Sequence, residues 1–561
     1  MKRNKMISLA LALILALGAG AFPAAAETAL DVSTLYKAKD VEDEWSPAEA
    51  EVIDLNAAED GLVILTEEGD YVLSGTLEGR VVIEAPEEDK VRLILNGATI
   101  VSPEGPAIYE KQADKLIITL AEGTVNTLTD GDMITDGDDE IGAALYAEDD
   151  LSINGSGTLV VNGTRKHGIQ SKADLVIAGG DITVSAVTDG IRGRNSLLLL
   201  DGSLNITAGG DGLTATRTEE EGKGWVVLSG GSVTVKTGDG AGEVRASANS
   251  HGGFGGRGRV DDWGSSSSGT DSGVSRKAVK AATDLTVLGG TYVFDCEDDG
   301  LHGANVTVSG GTFSIQSGDD ALHADSELAV NAGEIDIAQC YEGLEGENVT
   351  VNGGSIRIQA SDDGINAAGG SDGSGFGGWG RDGGTAASGS AGILTISGGE
   401  ISVTAGGDGL DSNGSIRITG GVTGVWAATT TGEGAIDFNG TGTLSGGTLI
   451  VASTGGVMRD TSGLSGQSVM AFSVSGSAGE TVTLTDGSGT VLGSFTPGNA
   501  FDTLMVSSAQ LQEGSAFAVT GGSGTLYSGS MTNSLTAAGG GYGGDFGGGF
   551  GGGRNKKRGG W

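Results

Sequence analysis

A pair of glycines followed by alternating apolar residues recurs along the chain at a nearly constant interval. Copies include Gly179-Gly180-Asp181-Ile182-Thr183-Val184, Gly289-Gly290-Thr291-Tyr292-Val293-Phe294, Gly310-Gly311-Thr312-Phe313-Ser314-Ile315, Gly353-Gly354-Ser355-Ile356-Arg357-Ile358 and Gly398-Gly399-Glu400-Ile401-Ser402-Val403. From Gly290 to Gly311 is 21 residues, to Gly333 another 22 and to Gly354 another 21. A second alternating run precedes each pair, as in Asp284-Leu285-Thr286-Val287 and Asn348-Val349-Thr350-Val351. Strands this short cannot bury a face alone, and repeated units solve the problem by stacking. The pattern predicts an all-β, right-handed parallel β-helix, a solenoid of about 21–22 residues per coil. Each coil reads as strand, Gly-Gly turn, strand, acidic turn. A propeller blade would need ~40–45 residues, and a sandwich shows no strict repeat.

The flanks differ from the repeat. Lys2, Arg3 and Lys5, an apolar run from Ile7 to Ala16, and Ala24-Ala25-Ala26 predict an export signal at 1–26. A linker (27–49) leads into the solenoid (50–465), which carries Gly/Ser-rich inserts near 241–275 and 369–390. A small C-terminal β-module (466–530) and a Gly-rich basic tail (531–561) follow. The expectation is a secreted or cell-surface protein with no transmembrane segment after signal cleavage. The formal charge is −42, or −45 without the three signal cations (−42 − 3). Such acidity excludes general nucleic-acid binding, which needs clustered Lys and Arg. Cys296 and Cys340 are 44 residues apart, two coils, so ~10 Å of rise separates them and they are expected as free, buried thiols. The sequence sets no oligomeric state.

The turn after each Gly-Gly strand reads acid, Gly or Ala, apolar. Asp299, Asp320, Glu342 and Asp363 follow one another at 21, 22 and 21 residues. One coil per repeat stacks these carboxylates ~4.7–4.9 Å apart. Bare unit charges at that spacing repel by roughly 1 kcal/mol in water and more near protein. A shared hard cation reverses the sign, and calcium takes carboxylate oxygens. The expected calcium ligands are Asp298, Asp299, Asp319, Asp320, Glu342, Glu345, Asp362, Asp363, Asn366, Asp408 and Asp411. Single Asp-Gly turns, at Asp189 and Asp211, read as turn chemistry, with glycine at positive φ. His302 and His323 hold equivalent places in adjacent coils, and two imidazoles among hard oxygens predict a hydrogen-bonded step rather than a transition-metal site.

The strings Lys166-His167-Gly168-Ile169-Gln170-Ser171, Tyr341-Glu342-Gly343-Leu344-Glu345-Gly346 and Ser361-Asp362-Asp363-Gly364-Ile365-Asn366 resemble one family. It is the carbohydrate-binding domain family of secreted bacterial cellulose- and pectin-binding β-helices, akin to family 9 pectate lyases. The resemblance covers roughly residues 50 to 530. It implies calcium-dependent stability and binding of plant cell-wall polysaccharide, including acidic polygalacturonate, without established catalysis. Members are often lipoproteins, and this chain lacks the lipid-bearing cysteine. Calcium on the acidic face would bridge uronate carboxylates, and Tyr341 and Trp426 are the aromatics expected to stack on sugar rings. A pectate lyase is the alternative. It needs a metal and a base, for which Lys277 and Lys280 are the candidates, although a solvated, charged lysine is the default. A structural surface or adhesion protein is the third reading.

Overall fold

The computed structural model describes residues 30–137, 139–242, 274–367, 392–428, 434–454 and 464–532. The segment 1–26, nearly all of both Gly/Ser-rich inserts and the tail from 533 lie outside the described residues. Residues 30–37 belong to a separate unit with one 3-10 turn, Val32–Thr34, capped by the Asp31 carboxylate on the Ser33 N–H.

From Glu51 to Gly466 the described chain is built mainly as a parallel β-solenoid. Three strands make each coil, one more than the sequence pattern predicts. In one coil these are Val279–Ala281, Asp284–Val287 and Thr291–Cys296. Each pairs in parallel with its counterpart in the coil before and the coil after. The apolar residue that ends each acidic turn is the first inward residue of the extra strand. Val279 stacks under Leu301, which stacks under Leu322 and then Leu344. That strand has three residues, with Val279 and Ala281 inward and Lys280 between them, too short to establish a period of two.

Inward columns run the length of the solenoid. Tyr292, Phe313, Ile335, Ile356 and Ile401 form one, with Tyr292 and Phe313 stacked at 4.8 Å between ring centroids. All are buried in one continuous core. The outward positions of the same strands, such as Thr312 and Ser314, are exposed. The second glycine of each pair turns the corner in the left-handed region, at φ +102° in Gly290 and +99° in Gly311, where L side chains are disfavoured.

The glycine of the acidic turn has another reason, contrary to the sequence expectation. Gly190, Gly212 and Gly364 are absent from the positive-φ positions. A Cβ on Gly364 would instead lie 2.2 Å from Val403 Cγ1 and 2.6 Å from the Gly409 carbonyl oxygen. Close approach, not backbone conformation, selects glycine there.

Parallel stacking stops at the C-terminal end. Phe501–Ser508 pairs antiparallel with Gly442–Thr454 and with Val469–Gly476. A four-stranded antiparallel sheet follows, ordered Val491–Phe495, Val482–Asp486, Ala516–Gly521, Gly524–Ser530. Trp426 packs into the second core there, with Phe472, Phe495 and Phe501. It is 8% exposed and its Nε1–H donates to the Ala500 oxygen. It therefore presents no face for sugar stacking, a correction to the sequence reading. Among the described residues no helix is long and apolar enough to cross a membrane.

Candidate carboxylate ladder

The acidic turns and the short strand after them build two neighbouring columns. Backbone N–H to C=O bonds between coils fix the turn column: Gly190 to Asp211, Gly212 to Lys277, Ala278 to Asp299, Gly300 to Asp320, Ala321 to Glu342, Gly343 to Asp363, Gly364 to Asp408. Its side chains in order are therefore Asp189, Asp211, Lys277, Asp299, Asp320, Glu342, Asp363 and Asp408. The strand column, three residues later, runs Arg192, Thr214, Lys280, His302, His323, Glu345, Asn366 and Asp411. Asp437 follows, because Leu410 bridges Ile436.

Each turn carboxylate divides its oxygens between two tasks. Oδ1 accepts the backbone N–H of the next turn residue. Asp189 takes that of Asp211, Asp299 that of Asp320, Asp320 that of Glu342 and Asp363 that of Asp408. This is local turn chemistry extended from coil to coil. Oδ2 faces the neighbouring column, and what it meets there changes along the solenoid.

In the earlier coils it meets cations and imidazoles. Asp189 Oδ2 lies 3.2 Å from Arg192 Nη1 and 3.3 Å from His167 Nδ1. Lys277 occupies a rung of the acid column itself. Its ammonium is 2.5 Å from Asp299 Oδ2 and 3.1 Å from Asp298 Oδ1, with Lys277 buried. Burial opposes that charge, but Asp299 and Asp298 outweigh it and hold the ammonium above the ordinary lysine range. Burial likewise works against ionised Asp299, yet Lys277 and His302 keep its carboxyl well below the usual range. The expectation of a solvated lysine is thus corrected, because a buried charge needs such partners. Lys280 Nζ donates to Ser275 Oγ at 3.2 Å.

His302 and His323 stack with centroids 4.8 Å apart and planes 11° from parallel. Their Nδ1 atoms lie 2.8 Å from Asp299 Oδ2 and 3.0 Å from Asp320 Oδ2. His323 Nδ1 also lies 2.8 Å from Glu345 Oε2. Burial disfavours imidazolium at His323, but Asp320, Asp325 and Glu345 overcome it and raise its affinity for a proton. The expected hydrogen-bonded imidazole step is what the geometry shows.

In the later coils the columns change character. From Glu342 to Asp437 neither column holds Lys, Arg or His. Burial, then Glu345, pushes the Glu342 carboxyl up to about 8. Burial, then Glu342 and Asp408, pushes Asp363 up to about 9. Asn366 Nδ2 donates to Glu342 Oε2 at 2.9 Å, while its buried Oδ1 accepts no hydrogen bond. Oxygens of Asp408, Asp411 and Asp437 lie within 4.8 Å of one another. Tyr341 is half-buried between the coils of Asp319 and Asp362. Its N–H donates to the Asp319 oxygen, and the Asp362 N–H donates to its own. Burial and a bond to Asp362 raise its phenol.

The structure therefore gathers every predicted ligand onto one edge, in two different settings. Sequence reasoning missed Asp437 and the rung position of Lys277. A signal existed for both: Lys277-Ala278-Val279 and Gly434-Ala435-Ile436-Asp437 keep the small-apolar frame of the turn. Cys296 and Cys340 are free and buried, two rungs apart through Ser317.

Fold and edge together define a parallel β-solenoid with a stacked carboxylate ladder. The family described as "Carbohydrate-binding domain-containing protein" matches residues 59–321, 303–383 and 321–523, and the chain belongs to that family. A carbohydrate-binding domain-containing protein of Acetivibrio thermocellus is 34% identical over 183 residues, 32% of this chain and 64% of that relative. The match thus spans just under two thirds of the relative's length. A solved structure, a polysaccharide lyase-like protein from C. thermocellum in a gadolinium derivative, is 26% identical. It has a TM-score of 0.35, over 48% of this chain and 94% of that one.

Proposed function

We propose that the chain is a secreted or cell-surface protein that binds plant cell-wall polysaccharide through calcium held on the later ladder, without cleaving it. The observation that carries this reading is the oxygen-only stretch from Glu342 to Asp437. Carboxylate and amide oxygens are what calcium takes, and the buried, unbonded Oδ1 of Asn366 fits a hard cation better than another donor. Glu342, Asp362, Asp363, Asn366, Asp408, Asp411 and Asp437 would hold the ions. Bound calcium would supply positive charge on an acidic face and draw uronate carboxylates to it, and membership of a carbohydrate-binding domain family supports a polysaccharide as the partner. Tyr341 stands beside that stretch as the candidate ring for sugar contact.

Of the two candidate bases for a lyase, Lys277 is the one the geometry speaks against, while Lys280 Nζ donates to Ser275 Oγ. Abstraction beside a uronate carboxylate needs a neutral amine, and Lys277 is held protonated between two carboxylates. Asp298, Asp299, Asp320 and Glu345 face Lys277, His302 or His323 instead, while oxygens of Asp298, Asp299 and Asp319 lie within 4.8 Å of one another.

The test is a pull-down of the purified protein with cellulose and with polygalacturonate, with calcium and with chelator, while absorbance of unsaturated product is followed. Calcium-dependent retention without product is expected. Product formation would overturn the non-catalytic reading, and equal retention in chelator would overturn the role of calcium.

A further inference from the structure

The earlier coils carry positive groups that their own carboxylates do not fully engage. Gln170, Arg192, Thr214 and Lys280 follow one another in register on the strand column. Leu213 and Ala215 belong to the core, so Thr214 between them points outward. Thr214 is nevertheless wholly buried, and its hydroxyl has no hydrogen-bond partner.

Two cations lean toward that rung from opposite sides. Arg192 comes from the coil before. Its Nη2 donates to Thr216 Oγ1 at 3.3 Å, which carries the guanidinium over the Thr214 coil. With the bond from Nη1 to Asp189 Oδ2, this uses two of its five N–H groups, and the buried Nε–H has no acceptor. Lys280 comes from the coil after. Its Nζ donates to Ser275 Oγ, and that hydroxyl donates at 2.7 Å to Oδ1 of Asp211, in the turn of the Thr214 coil. The same Oδ1 accepts the Lys277 N–H. Among the described residues Lys280 itself makes no ion pair. The Arg192 side chain is 31% exposed and Lys280 is half-buried, so both reach solvent.

A guanidinium, an ammonium and a spare hydroxyl around one uncharged rung suit a carboxylate, which would accept charge-assisted bonds that the chain leaves unmade. We propose that Arg192 and Lys280, with Thr214 beneath them, bind the carboxylate of a uronate unit directly, without a metal ion. The inference rests on the reading of the chain as a polysaccharide binder and adds a second kind of subsite to it. Four rungs, ~19 Å along the axis, lie between Lys280 and Asn366 of the later ladder. A long polyuronate laid along this edge meets both settings, and linked contacts hold it more tightly than either alone.

The test is calorimetric titration of the full-length chain with trigalacturonate, in chelator and at low salt, beside cellotriose. Saturable binding of the acidic trimer and none of the neutral one is expected, weakening as salt is raised. Lys280→Gln should lower the acidic trimer's affinity roughly tenfold, the loss of one charge-assisted bond. Lys236→Gln makes the same charge change on the exposed face of the Gly-Gly strand and should leave that affinity unaltered. Arg192→Gln should match Lys280→Gln, but it also takes a partner from Asp189, so Lys280→Gln is the deciding variant. No trimer binding in chelator, equal affinity in Lys280→Gln, or equal binding of cellotriose would overturn the subsite. Calcium-dependent retention of polygalacturonate would still stand in that case. Trimer binding in chelator beside polymer retention that ignores calcium would instead overturn the role of calcium and support the subsite.

Discussion

The earlier and later coils of the ladder repeat the same turn on the same edge, yet they answer carboxylate repulsion differently. Up to Asp320 the chain supplies its own positive and neutral partners: Arg192, Lys277, Lys280, His302 and His323. Beyond it the columns are oxygen only, and Glu342 and Asp363 hold their protons to about 8 and 9. A rung geometry that brings carboxylates within ~5 Å demands compensation, but it does not dictate the source. Where the sequence places a lysine in the acid column, the coil is complete by itself. Where it places another acid, retained protons offset the repulsion, or the cation from solution proposed above does.

The largest effect is expected from removing the internal cation. Lys277→Met leaves Asp298 and Asp299 facing each other, with Asp299 fully buried. Stranding a buried charge costs about 3–5 kcal/mol, measurable by urea unfolding in chelator. Part of that loss should return with calcium, because the substitution gives an earlier coil the character of a later one.

A buried carboxylate outside the ladder separates burial from stacking. Burial pushes Glu110 up to about 7, and its Oε1 has no hydrogen-bond partner. Its folded pKa lies above the unfolded one, so the native state holds the extra proton. Stability is then lost as pH rises from the unfolded value near 4.3 through 7, by about 4 kcal/mol in all. Glu110→Gln should remove that slope in unfolding curves collected between those values. The difference between the two proteins should be the same with and without calcium.

Gly364→Ala tests the packing of the turn. Its Cβ would meet Val403 and the Gly409 oxygen, an overpacking cost of about 1–3 kcal/mol. Gly300→Ala should cost less, since Ala278 and Ala321 already fill the same slot in adjacent coils. Asp411→Asn is the smallest change in chelator, within about 0.5 kcal/mol for a partly exposed polar swap. Its effect should appear only when calcium is present.

Much of this was legible in the chain. The Gly-Gly interval set the coil, and the acid spacing placed Asp299, Asp320, Glu342 and Asp363 in one column. The third strand was not legible, because three residues, two inward about one outward, are too few to establish a period. Nor was Asp325, which reaches His323 only through a bulge. Trp426 sits on a strand that looks like any other copy, and only the antiparallel sheet against it decides that its ring is buried. The turn glycines looked like positive-φ residues because Asp-Gly turns often are; a valine one coil away makes the choice here.

The split ladder is tested most directly by thermal unfolding of the unaltered chain in chelator and in saturating calcium, beside Asp411→Asn and Asp189→Asn. Calcium at about a hundred times its dissociation constant should stabilise the unaltered chain by about 2.7 kcal/mol per site. That gain should be lost in Asp411→Asn and kept in Asp189→Asn. An unaltered chain that melts at one temperature in both conditions, or a gain that vanishes equally in both variants, would contradict it.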